Sequence, residues 1–147
     1  MKTKLYKNKW IAAIAVAGAI SLMASCQTMS MGGSEQVSLT GANEVPPVTT
    51  SASGSGTVTI KDDHSVAAKI TATGMTATAA HIHEAAAGQN GPVIVPFTKT
   101  SDNTFEAPAG AKLTDAQYAS YKAGKLYVNV HSAQHPGGEI RAQLKGS

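Results

Sequence analysis

An all-β fold, an antiparallel β-sandwich with one short helix, is what this sequence predicts, on three observations. Short stretches of alternating apolar and polar residues recur between residues 37 and 144, separated by segments rich in Gly, Pro, Asn, Asp and Ser. A helical signal occurs in one place, Thr114 to Ala123. The remaining span, residues 37–147, suits one small single-core domain and shows no internal repeat of solenoid period.

The elements follow in chain order. Residues 1–25 read as a lipoprotein signal peptide: Lys2, Lys4, Lys7 and Lys9 form a basic start, and Trp10 to Met23 an apolar run. At 14 residues that run is short of the ~20 needed to span a bilayer. Leu22-Met23-Ala24-Ser25-Cys26 resembles a bacterial lipobox, so Cys26 is the expected lipidation site and the new N-terminus. Residues 26–36 are small and polar, as expected of a flexible tether, and Met29 and Met31 within it receive no role. Val37-Leu39 opens a first strand, and Gly56 to Ile60 alternates cleanly. Lys61 to Ser65 is a polar turn that places His64 in solvent, and Val66 to Ala72 returns as the hairpin partner. Asn43 to Val48 is irregular because paired prolines do not fit a ladder. Further strands are expected at Thr76 to His83, Val93 to Phe97, Leu126 to His131 and Glu139 to Leu144. The helix starts on a capping box, Thr114-Asp115-Ala116-Gln117, and stops at Gly124, with Tyr118 and Tyr121 as its packing stripe.

Charge narrows the partners. The precursor carries a formal +3, but removal of the four signal lysines leaves eight basic against nine acidic side chains, a net charge of −1. No basic run or nucleic-acid motif remains, so nucleic acid is not an expected partner. With Cys26 lipidated, no other cysteine is available for a disulfide, a thiolate ligand or a nucleophile.

Four of the five histidines fall in two strand-like segments, His81-Ile82-His83-Glu84 and His131 to His135. Residues two apart on a strand share a face. Ala80 and Ile82 take the inward parity, as do Val128 and Val130, and Ile140, Ala142 and Leu144. His81, His83, His131 and Arg141 then occupy the opposite, outward face, where neighbouring strands would assemble them. The expected metal ligands are His81, His83 and His131, with Glu84 or His135 as a fourth and Arg141 as a charge that attracts small anions. Three imidazoles are the minimum for a site with an open position, and nitrogen ligands favour copper among the common divalent ions.

The chain also resembles the CHRD domain family, the module named from its repeats in chordin and found in many bacterial secreted proteins. Three motifs carry the likeness: Leu39-Thr40-Gly41-Ala42-Asn43-Glu44-Val45-Pro46-Pro47-Val48, then Ala80-His81-Ile82-His83 with Asn90-Gly91-Pro92-Val93, and Val128-Asn129-Val130-His131 with Pro136 to Leu144. Glu84, Ala85, His135 and Ala142 depart from the usual family residues. The resemblance implies an immunoglobulin-like or Cu,Zn superoxide dismutase-like sandwich outside the cell or in its envelope, with no firmly assigned activity. Gln27 after the cysteine implies an outer-membrane anchor facing the periplasm. His81-Ile82-His83-Glu84 is similar to the copper strand of Cu,Zn superoxide dismutases, and Arg141 to their substrate-guiding arginine, but the further zinc ligands of that enzyme are missing.

Three functions stay open. The first is a non-catalytic envelope lipoprotein, anchored to the membrane through Cys26, with copper or another divalent metal on the histidine cluster. The second is an extracellular interaction or matrix module that presents Glu84 to Asn90 and Ala107 to Leu113 to a protein partner, its histidines being structural. The third, a dismutase-like redox enzyme, requires copper, and no hydrolase or phosphate-binding motif marks any other catalytic site.

Overall fold

The computed structural model describes residues 33–146. The expected signal peptide, Cys26 and the first part of the tether lie outside them. Among the described residues nine strands form one antiparallel sheet: β1 (Ser34–Thr40), β2 (Ser53–Ile60), β3 (Val66–Thr73), β4 (Ala77–Glu84), β5 (Val93–Pro96), β6 (Thr98–Ser101), β7 (Thr104–Glu106), β8 (Leu126–Ser132) and β9 (Ile140–Gln143). Their order is β5-β4-β8-β9-β1-β2-β3-β7-β6. The chain leaving β5 stays against β4, where the Phe97 amide donates to the Ala80 carbonyl at 3.0 Å and Lys99 Nζ to that of Ala77 at 3.2 Å. The two ends of the sheet thereby approach each other, in an arrangement between a sandwich and a barrel.

Alternation explains the core. Leu39, Ile60, Ile70, Ile82, Val128 and Ile140 all reach 0 % exposure from the inward parity of their strands. Each such side chain contributes roughly 1.5–3 kcal/mol by leaving water. The helix α1 (Asp115–Lys122) forms on the expected capping box, with Thr114 accepting from the Gln117 amide and the Gln117 side chain accepting from that of Thr114. Gly124, at φ 69°, ends it. Tyr121 packs into the core and Tyr118 lies against it.

Three local expectations change. Strand β1 begins at Ser34, inside the segment read as tether, because Ser34 and Gln36 bond outward to Thr59 and Thr57 while Val37 and Leu39 fill the interior. The hairpin of β6 and β7 was not expected: its turn depends on Asn103 at φ 57°, whose side chain bridges the Ala77 amide and the Met75 carbonyl. His64 sits in a turn as expected but is not simply solvated. At φ 67° it stacks on Tyr118, ring centroids 4.3 Å apart, and approaches Asp115 at 3.4 Å.

Candidate metal centre

The adjacent strands β4, β8 and β9 set the site through their register. His81 faces Asn129, which faces Arg141; His83 faces Tyr127, which faces Gln143; His131 faces Ala79. All these positions share the polar side of the sheet, while Ala80, Ile82, Val128, Val130, Ile140 and Ala142 line the core side. His81 and His83 from β4 meet Asn129 and His131 from β8 as two pairs at i,i+2 spacing, close enough for side chains to touch directly or diagonally. A register shift between β4 and β5 at His83 accompanies a ring laid flat on Tyr127, centroids 4.8 Å apart and planes within 4°.

One nitrogen from each of His81, His83 and His131 lies within 4.8 Å of the others. His81 Nδ1 is 3.0 Å from His131 Nε2. The outer nitrogens are spoken for: His83 Nδ1 donates to the Gly91 carbonyl and His131 Nδ1 to that of Pro136, each at 2.9 Å. A carbonyl accepts only from N–H, so both neutral rings carry their proton on Nδ1 and turn the Nε2 lone pair toward the cluster. The Nε2 of His83 is buried without a partner. Such carbonyl anchoring of the far nitrogen is how metal-binding imidazoles are oriented.

Burial also decides protonation. It pushes His81 down to about 4, helped by its histidine neighbours. It lowers His83 as well, against the hydrogen bond to Gly91 and a contact with the Asn129 side chain that favours the charged ring, and it lowers His131 against the bond to Pro136. Neutral imidazoles are the form that ligates. An ion held by nitrogens at ~2.0–2.1 Å in a tetrahedral arrangement would need them roughly 3.4 Å apart, so a gap of up to 4.8 Å would have to close by about 1.4 Å and the 3.0 Å His81–His131 pair open slightly.

A second polar group adjoins the cluster. Arg141 is 1 % exposed and its Cζ lies 3.4 Å from the Tyr127 ring centroid. It donates to Gln89 O, Asn90 Oδ1 and Gln143 Oε1 at 2.8, 3.2 and 3.3 Å. Glu44, from the irregular stretch after β1, is 5 % exposed and has an unpartnered Oε1. Burial pushes its carboxyl up to about 7, with Arg141 and the Asn129 amide pulling back. β1 and β9 separate beyond the Thr40–Arg141 pair, and a cleft of about 780 Å³ opens there, lined by Glu44, Arg141 and Gln143 but not by the histidines.

Comparison with known families places this arrangement. A family model, the CHRD domain, matches residues 36–144. The chain belongs to the CHRD domain family. Searches of curated proteins and of solved structures returned no match.

Within this CHRD domain the structure brings together His81, His83 and His131 and leaves the two expected fourth ligands aside. Glu84 has the parity of Ile82, and its Oε1 accepts from Ser120 Oγ of the helix at 2.6 Å. His135 lies in the turn between β8 and β9, with its N–H bonded to Ser132 Oγ at 3.1 Å and its ring acting electrostatically on Glu139 rather than on the cluster. The polar face was expected to be outward; it is covered instead. Residues 85–92 lie over it through the Arg141 and His83 bonds, and Glu44 and the Pro136 turn close it further, leaving His83 at 7 % and His131 at 8 % exposure. Arg141, expected as a charge that attracts anions from solvent, instead holds the 89–90 loop. Glu44 and Asn129 are the polar residues whose place the sequence reading underestimated. The i,i+2 spacing of Asn129 and His131 was the signal for one; the burial of Glu44 depends on a loop and left no periodic trace.

Proposed function

We propose that this protein is a cell-envelope lipoprotein whose CHRD domain binds one copper ion through His81, His83 and His131, as a binding module and not as a catalyst. The observation that carries the reading is the pair of Nδ1–H bonds to Gly91 and Pro136, which turn two Nε2 lone pairs toward a third, half-buried imidazole in a neutral cluster. Hydrogen bonding alone does not call for an Nε2 left without a partner on His83, which is costly in a buried place; a cation offers that lone pair a bond. Copper is favoured over zinc by the order of affinities for nitrogen ligands. Envelope location rests on the basic start, the short apolar run and Cys26 of the sequence, together with membership of a family of extracellular type.

Mass action supplies the test. A ligand that binds only the folded state stabilises it by about 2.7 kcal/mol at a hundredfold excess over Kd. Copper(II) should raise the melting temperature of the purified full chain, with zinc giving a smaller increment. His81→Ala, His83→Ala and His131→Ala should each abolish the increment, and His64→Ala should leave it intact. An unchanged melting curve with both metals at neutral pH would make the histidines structural, and the interaction-module reading would then take the place of this one.

A further inference from the structure

We infer that the fourth ligand of this centre is the side-chain oxygen of Asn129, which makes the donor set three imidazoles and one amide. The inference rests on reading the histidine cluster as a metal centre and concerns a residue outside the triad. Asn129 stands directly opposite His81 in the β4–β8 register, and lies between His83 and His131 on the same face. It is 1 % exposed, and its Oδ1 has no hydrogen-bond partner. The described residues contain three such orphaned buried atoms, Asn129 Oδ1, His83 Nε2 and Glu44 Oε1, all in this one region.

The orientation of the amide follows from its other side. A Cβ at Gly138 would lie 2.6 Å from both Asn129 Nδ2 and Glu44 Oε1, so the amide nitrogen is on the carboxylate side of the residue. Carboxylates accept and amide nitrogens donate, and this arrangement directs Oδ1 away from Glu44, toward the imidazoles. The Asn129 side chain favours a proton on the His83 ring, yet with that ring neutral and its proton on Nδ1, Oδ1 and the Nε2 lone pair are two buried acceptors without a donor between them. Leaving both unsatisfied is costly, and a shared cation satisfies both at once. Glu84 and His135, the other oxygen and nitrogen donors near in sequence, are directed elsewhere, Glu84 onto Ser120 and His135 into the β8–β9 turn.

A donor set of three neutral imidazoles and an amide oxygen, with no sulfur, suits a divalent ion and disfavours soft copper(I). The site is therefore assigned to copper(II) or an ion of similar hardness. Glu44 acts here as a positioning residue that holds the amide in its productive orientation, in the manner of an outer partner of a ligand.

The test is copper(II) titration of the full-length chain with electron paramagnetic resonance as the second readout. Asn129→Leu removes the oxygen at similar volume, and Asn129→Asp keeps an oxygen and adds charge. The leucine variant should bind copper(II) about tenfold or more weakly with a changed spectrum, and the aspartate variant should bind more tightly, also with a changed spectrum. If the leucine variant is folded and keeps both the parental Kd and the parental spectrum, Asn129 is not a ligand, while the triad still stands on the loss of binding in His83→Ala. If the leucine variant fails to fold, the aspartate variant decides: an unchanged spectrum overturns the assignment. Retention of copper by all three histidine variants would instead overturn the metal centre itself.

Discussion

His81 Nδ1 lies 3.0 Å from His131 Nε2 although the two residues are not opposite one another; in register His81 faces Asn129 and His131 faces Ala79. The His131 Nδ1 proton is held by the Pro136 carbonyl, so His131 Nε2 accepts and His81 Nδ1 donates in the metal-free protein. On the proposed metal-centre reading, an ion bound at this nitrogen would require His81 to move the proton to its other nitrogen, so the pair would be a hydrogen bond without the ion and two ligands with it.

Acid should weaken the fold through this cluster. Each of the three histidines has a folded pKa below its unfolded value of about 6.5, His81 down to about 4, because burial disfavours the charged ring. The unfolded chain therefore binds more protons as pH falls below 6.5, and stability declines from there toward pH 4, where the His81 contribution levels off. Urea unfolding from pH 7.5 to 4 should show the decline, and NMR titration of the imidazoles should give His81 the lowest midpoint. A normal midpoint for His81 would contradict the buried, neutral cluster.

Glu44 works in the opposite sense. Its folded pKa is raised from 4.5 to about 7, so its contribution is fully present below pH 4.5 and is lost as pH rises through 7. Glu44→Gln keeps the shape of the neutral acid and should be more stable than the parent at pH 8, with little difference at pH 5. Arg141→Gln removes the charge that pulls Glu44 down, so in that variant the carboxyl should titrate higher still. A Glu44→Gln stability difference independent of pH would show that the carboxyl is ionised throughout.

The two glycines after Pro136 should respond differently. Gly138 has φ 127°, and an added Cβ would meet Glu44 and Asn129 side-chain atoms at 2.6 Å; at Gly137 nothing lies within 4 Å. Gly138→Ala should cost about 1–3 kcal/mol, a drop of several degrees in Tm, whereas Gly137→Ala should fall within about 0.5 kcal/mol of the parent. Equal melting of the two variants would refute the turn geometry.

Cys26→Ser tests the anchor. In a bacterial host the variant should lose membrane association or remain unprocessed, because lipid chains supply such binding. Equal retention of parent and variant on membranes after salt and carbonate washing would remove the lipobox from the proposal.

Local pattern determined much of this protein. Alternation at Gly56 to Ile60, Val66 to Ala72 and Leu126 to His131 placed these strands and their inward residues, because a strand repeats every two residues whatever it pairs with. Thr114 and Gln117 likewise placed the helix start through bonds that are local. Parity also put His81, His83 and His131 on the outward side of their strands, and the pairing of β4 with β8 then brought them to one face. What parity does not contain is the environment of that face, and here tertiary structure decided. Residues 85–92, Glu44 and the Pro136 turn fold over β4, β8 and β9, and they bury a side of the sheet that alternation assigns to solvent. That cover strips water from the imidazoles, gives two of them carbonyl partners and closes Arg141 in. Parity already keeps Glu84 off this face and Asn129 on it; the partners they find, Ser120 of the helix for Glu84 and His81 across the sheet for Asn129, depend on register and loop path, which single-strand periodicity does not encode.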